Sequence, residues 1–244
     1  MSAPAQTLDA QNNDGLENLV TGQGGRSDSR AHGNRGFSYT IRTAQELQEL
    51  YRTNWLAGQV VDIPAFEMTR ERRTFQIDDM DKIRAIQAEE DRLCSWEKAK
   101  ECIQWARVFG GGGILLGLDG MGEVDTPLDV TRVKQGSLKF LHALDARTLF
   151  PQAGKDTHLV MDPTSSQFMQ PEFYSIASSK MDFIHHTRII RFPGLSLPWL
   201  EMQRTLWWGG SHLERLFDVI ADAEQVIGGV ADLINEAKVD VYGI

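Results

Sequence analysis

The segment Trp105–Gly117, WARVFGGGGILLG, constrains this chain more than any other. Ala99, Cys102, Ile103, Ala106 and Phe109 recur at helical spacing up to it, and then four glycines arrive together. A glycine directly after the last apolar repeat supplies the left-handed residue that ends many helices, so Gly110 is expected to be a stop. Ile114 to Leu118 is a short apolar run closing on the turn Asp119-Gly120, which predicts a buried strand. A phosphate-binding loop needs the opposite order: strand, glycines, then a Lys and Ser/Thr opening a helix. Here the helix comes first and no Lys follows directly. The glycines are therefore expected to end a helix and permit tight packing, and no nucleotide-binding residue is assigned.

The remaining elements are placed from this anchor. Thr43-Ala44-Gln45-Glu46 fits a capping box, and Leu47, Leu50, Tyr51 and Asn54 follow at helical spacing, with Trp55 and Leu56 beside them. Pro64 is read as the first residue of a further helix, where its fixed φ costs nothing. Asp79 to Phe109 is strongly helical, with Ser95 as an internal cap. Leu138–Leu144, His158–Met161, Glu172–Ala177 and Arg188–Phe192 are short strand-like runs between turns at Pro163, Pro171 and Pro193. Ser211-His212-Leu213-Glu214 is a second capping box. It opens a long helix to about Glu236, with Leu213, Leu216, Phe217, Ile220, Ile227, Val230, Ala231 and Ile234 on one side. Val239 to Ile244 is read as the start of a strand. Residues 1 to 36 are polar and glycine-rich and are expected to form a disordered arm before a folded domain from 37 to 244. The fold class implied is α+β, with helices packed on a small, mostly antiparallel sheet.

Charge and cysteine usage exclude some function classes. With 25 basic and 34 acidic residues the formal charge is −9, and Arg70, Arg72, Arg73, Lys98 and Lys100 all sit among acids. Tight duplex binding needs a basic patch, so DNA is expected only as something that passes without sticking. Cys94 and Cys102, placed on one helix, would lie ~12 Å apart at 1.5 Å per residue, too far to bridge, and are expected to be buried free thiols. The N-terminus lacks a basic start and an apolar core, so no signal peptide is expected. No apolar run approaches the ~20 residues of a membrane span.

The chemical constellations are sparse. His185-His186-Thr187 offers one His-x-Thr, with His185 and Thr187 expected on one face of a strand. Enzymes that cleave phosphodiesters with two histidines need a second such motif opposite the first, so that two imidazoles act as acid and base. The chain supplies none: His32, His142, His158 and His212 are each followed two places on by Asn, Leu, Val and Glu. Cys94, Cys102 and the histidines show no metal-ligand spacing. Asp78, Asp79 and Asp81 precede a helix, where their charge complements the helix dipole. Trp55, Trp96, Trp105, Trp199, Trp207 and Trp208 are scattered and read as core or subunit contacts. The expected catalytic, cofactor and metal residues are none, and the chain is expected not to be an enzyme.

Several segments agree in order with one family. Leu50-Tyr51-Arg52, Asn54-Trp55-Leu56, Val60-Val61-Asp62-Ile63-Pro64 and Met68-Thr69-Arg70 come first. Trp105-Ala106-Arg107 runs into the glycines and Ile114-Leu115-Leu116-Gly117. Leu138-Lys139-Phe140-Leu141, Asp162-Pro163, Pro171-Glu172-Phe173-Tyr174, His185-His186-Thr187-Arg188 and Arg191-Phe192 follow. From about Thr43 onward the chain resembles the N-terminal, wing-region half of tailed-phage portal proteins. These form the ring through which DNA enters and leaves a capsid, in the group whose relatives are sometimes named for an anti-CBASS phosphoesterase. The resemblance implies a structural part of the capsid-vertex ring, with self-association (a dodecamer in full-length relatives). It also implies the large terminase, head and connector proteins as partners, and sequence-independent passage of double-stranded DNA. The implied location is the virion portal vertex, and the host bacterial cytoplasm during assembly. It further implies a chain cut before the stem and clip regions. The alternatives are a two-histidine phosphoesterase cleaving cyclic nucleotides and a generic partner-binding module.

Overall fold

The computed structural model describes residues 42–120, 122–152, 159–165, 167–177 and 183–239. The expected arm, residues 1 to 36, lies outside them with its boundary, as does residues 240–244 of the expected final strand.

Helices come first: α1 (Ala44–Thr53), α2 (Trp55–Arg70), α3 (Met80–Arg92) and α4 (Ser95–Phe109). The capping box at Thr43 forms as read. Its hydroxyl accepts the Glu46 N–H at 3.2 Å, and the Glu46 carboxylate accepts the Thr43 N–H at 2.6 Å. Asn54 ends α1 and starts α2. Its side-chain oxygen accepts the Ala57 N–H at 2.9 Å, while its amide nitrogen donates to Glu224, far along the chain.

Pro64 departs from the reading. It lies inside α2, which runs through it unbroken. A proline there has no N–H for the carbonyl four residues back. That carbonyl, on Val60, accepts instead from Arg107 of α4, from Nε at 3.2 Å and Nη2 at 2.8 Å. The missing helical donor is replaced by a tertiary one, which a local reading of α2 does not reveal. Ser95 is not a cap either. Cys94 occupies that position with φ 48°, in the left-handed region, and makes no side-chain cap. Because Cys94 sits in the turn between α3 and α4, the two cysteines do not share a helix. Cys94 is exposed and Cys102 buried, against the expectation that both are buried. Burial pushes the Cys102 thiol up to about 12.

Gly110 ends α4 with φ 81°, and the chain enters β1 (Gly111–Leu118). β1 is the middle strand of an antiparallel sheet with β2 (Leu138–Asp145) and β6 (Ile189–Pro193) on its two sides. Gly113 pairs with Leu144 of β2 and Arg191 of β6. A second antiparallel sheet holds β3 (Leu149–Pro151), β4 (Phe173–Ile176) and β5 (Ile184–His185). The fold is thus α+β as expected, but the single sheet is two, and the described part of the next run, 159–161, contributes a bridge between Leu159 and Pro171. Arg92, at the end of α3, donates to the carbonyls of Leu138 (2.6 Å) and Lys139 (3.2 Å) and pins that helix to the start of β2.

The chain closes with α5 (Trp199–Arg204) and α6 (His212–Val239), so the strand expected from Val239 begins as helix. Leu47, Ala57, Val61, Val108, Leu213 and Ile220 form one core between α1, α2, α4 and α6. Leu149, Tyr174, Ile184, Ile189 and Trp208 form a second between the sheets. Trp207 and Trp208 are therefore core residues, and the Trp208 indole N–H donates to the Leu149 carbonyl at 3.1 Å.

Arg107→Met keeps the apolar stem and removes the donor to Val60. It is expected to cost about 1–3 kcal/mol, the usual penalty for a carbonyl left without its charged donor. In a Pro64→Ala background, where residue 64 regains an N–H, the same change should cost much less. Urea unfolding of the four proteins in this cycle checks it, and equal costs in both backgrounds would refute the compensation.

Candidate functional site

His185 ends β5, and His186–Arg188 form one turn of 3-10 helix, so the pair expected on a strand face is joined by a turn instead. The turn nevertheless brings both side chains together. The Thr187 backbone N–H donates to His185 Nδ1 at 3.3 Å, and Thr187 Oγ1 lies 2.9 Å from the same nitrogen. A backbone N–H can only donate, so Nδ1 is an acceptor and the neutral ring carries its proton on Nε2. Thr187 Oγ1 in turn accepts the Leu128 N–H at 2.8 Å, which leaves its proton for His185. The backbone holds the same place: the His185 N–H donates to the Val124 carbonyl (3.0 Å) and the His186 N–H to Glu172 (2.8 Å). Buried Arg188 donates from Nε to the Thr126 carbonyl at 3.0 Å.

This is a clasp that fastens the 124–128 loop to the end of β5. His185 is 6% exposed and packs edge-on to Phe173, with ring centroids 5.5 Å apart. Burial holds its pKa below the ordinary histidine range, and the neighbouring His186 adds to the effect. Burial also lowers His186 and His212. Near neutral pH only the imidazolium can give up a proton, and burial together with the Thr187 N–H on Nδ1 keeps this ring in its neutral form. The sequence identified this pair by spacing alone. It missed Leu128 and Thr126, which are distant in sequence and carry no motif, and it named Glu172 only within an expected strand and the family resemblance.

Other expected candidates stay separate. Gly110–Gly113 are packed into the interior: an added Cβ at Gly111 would lie 2.6 Å from the Trp208 ring, and at Gly113 2.8 Å from Leu149. Nothing can approach their amides. Asp79 caps α3 by accepting the Asp81 and Lys82 N–H groups. Among the described residues no three His, Cys, Asp or Glu side chains converge as a metal site would require. A cleft of about 140 Å³ is lined by Gln48, Tyr51, Arg52, Trp105, Phe109 and Asp145, well below the ~300 Å³ at which ligand pockets begin.

The surface offers a different kind of site. Leu213, Ile220, Ile227 and Ile234 follow at intervals of seven along α6, and Leu216, Ala223 and Val230 at the intervening positions, the a/d spacing of a helix that pairs with another helix. The first half of this seam is used internally, with Ile220 2% exposed. Its second half is uncovered: Ile227 is 69% exposed, and Val226, Val230, Leu233 and Ile234 are also exposed. Arg42 fixes the covered half, with Nη2 3.1 Å from Asp218 Oδ1 and its guanidinium 4.0 Å from the Phe217 ring centroid. These side chains are half to two-thirds exposed, so covering them is worth on the order of 5 kcal/mol at ~1 kcal/mol each. No helix among the described residues is long and apolar enough to cross a membrane.

Residues 45–244 match the profile of the phage portal protein family. The chain is 33% identical over 240 residues to an anti-CBASS protein Acb1 of Sphingomonas paeninsulae, covering 95% of this chain and 36% of that protein. It is 32% identical over 233 residues to an anti-CBASS protein Acb1 of a Caulobacter species (93% and 36%). A protein of Haemophilus influenzae is 27% identical over 234 residues (95% and 50%). The chain spans about a third to a half of the length of these relatives. It belongs to the phage portal protein family. These comparisons correct one expectation: two relatives at a third identity bear an anti-CBASS name, and the assignment of the chain as a non-enzyme does not stand against them.

The histidines generate a pH prediction. Their folded pKa values lie below the unfolded value of about 6.5, so the unfolded chain binds more protons just below that pH. Their contribution is full above pH ~6.5 and is lost as pH falls through the folded values. Urea unfolding should show falling stability from pH 7.5 to 5, and His185→Gln should flatten that fall. An unchanged slope in the variant would rule out His185 as a source.

Proposed function

We propose that this member of the portal family is a structural segment of the portal ring at the capsid vertex. There it helps DNA to pass during packaging and ejection and helps join head to tail. The single observation that carries the reading is the uncovered half of the α6 seam, an apolar helix face with heptad spacing on a protein of a family named for its portal role. Such a face requires a protein partner, and a ring supplies one in every neighbouring copy. The remaining partners on this reading are the large terminase and the head and connector proteins. Duplex DNA slides by without sequence readout, consistent with the net charge of −9. The working location is the virion, and the host cytoplasm during assembly. Residues 37 to 244 act as the wing-like part on this reading.

A second reading joins the relatives' anti-CBASS name to the one His-x-Thr pair: hydrolysis of a cyclic nucleotide, in which water adds at phosphorus, the P–O bond breaks and His185, in its imidazolium form, protonates the leaving oxygen. Incubation with cyclic di- and trinucleotides tests it. A linear product lost in His185→Ala and kept in His142→Ala, on an exposed strand position, would establish it.

Light scattering and electron microscopy test the ring. The chain is expected to associate with rising concentration, and a version extended to its relatives' length to form closed rings. Monodisperse monomers from both would refute the structural reading.

A further inference from the structure

A contact that repeats around a ring axis joins one patch on each copy to a different patch on the next. The second half of α6 is one uncovered apolar face, and α2 carries another. Trp55, Gln59, Ile63, Phe66 and Arg70 recur every three or four residues along α2, opposite its buried residues Ala57, Val61 and Ala65. Trp55 is 76% exposed, and Ile63 and Phe66 are about half exposed. The large apolar side chains of this stripe, Trp55, Ile63 and Phe66, are thus left exposed while the other side of α2 is packed.

We infer that the second half of α6 in one copy lies across the outward face of α2 in the next copy of this chain. This rests on the ring reading and names the two surfaces that form its contact. Continuity supports the pairing. The first half of α6 already packs on the inward face of α2, where Leu213 and Ile220 meet Ala57 and Val61. One seam then holds α2 of its own chain along its first half and α2 of a neighbour along its second. The border of the α2 stripe is balanced in charge, since Arg70 pairs with Glu67 (3.1 Å) and Glu71 (3.6 Å), so the contact is apolar rather than charge-steered.

Cysteine cross-linking of the full chain tests the contact. The background is Cys94→Ser, which removes the exposed thiol and leaves buried Cys102. Phe66→Cys with Ile227→Cys is expected to give a disulfide ladder extending beyond the dimer on a non-reducing gel, and each single variant none. A dimer from Ile227→Cys alone would show α6 meeting α6 and overturn the inference. So would rings or larger oligomers, seen by light scattering, that give no ladder; that result leaves the ring reading intact. A monodisperse monomer without a ladder overturns the contact, and the ring reading falls with it only if the extended version is monomeric as well. As a second measurement, Phe66→Glu and Ile227→Glu, both at exposed positions, should each raise the concentration for half-association by about tenfold. Unchanged circular dichroism would confirm that each variant folds. Association unaffected by either change would overturn the contact.

Discussion

The structure depends on a crossing of three main-chain segments with no side chains between them. Gly110, where α4 becomes β1, accepts the N–H of Gly194, just past β6, at 2.9 Å. An added Cβ at Gly110 would lie 2.3 Å from the Gly209 carbonyl oxygen, and one at Gly194 would lie 2.5 Å from the Gly210 carbonyl oxygen. Both distances are closer than any side chain tolerates, so the crossing admits glycine alone at these points. Its consequence is directional. Gly209 and Gly210 lead straight into α6, and Ser211 both caps that helix and donates to the Arg107 carbonyl at 3.2 Å. The end of α4 and the start of α6 are thereby one fixed corner. Everything α6 presents to a partner is aimed from there.

Much of this was legible in the sequence because the cues are local. The capping box at Thr43, the stop at Gly110, the strand after it and the second cap at Ser211 each need only a few consecutive residues, and each formed. What was not legible depends on distant partners. Pro64 is tolerated in α2 because Arg107, forty-three positions away, serves the Val60 carbonyl. Cys94 is exposed because the α3–α4 link turns through a left-handed residue that no cap motif announces. The split into two sheets also escaped, since antiparallel runs of similar length do not declare which edges they share.

The candidate site divides in the same way. The spacing of His185 and Thr187 identified the pair, but not that a 3-10 turn, rather than a strand, brings them into contact. Nor did it identify Leu128, whose N–H decides which way the Thr187 hydroxyl points. The apolar stripe of α6 was visible by its period. The fact that only its first half is covered was not, because burial is a property of the packed fold. Trp55 was grouped with the other tryptophans, yet it is the most exposed of the large apolar side chains, whereas Trp207 and Trp208 are buried.

The clasp and the seam have opposite physical characters, and that contrast orders the two functional readings. His185 is nearly sealed, neutral and hydrogen-bonded on one nitrogen, so its contribution to stability is already in use. The second half of α6 is apolar and unspent: the free energy available from covering it has not been realised within the chain. A surface of that kind is costly to leave in water. The uncovered face supports the assembly reading, whereas a proton-transfer role for His185 needs its Nδ1 released from the Thr187 N–H.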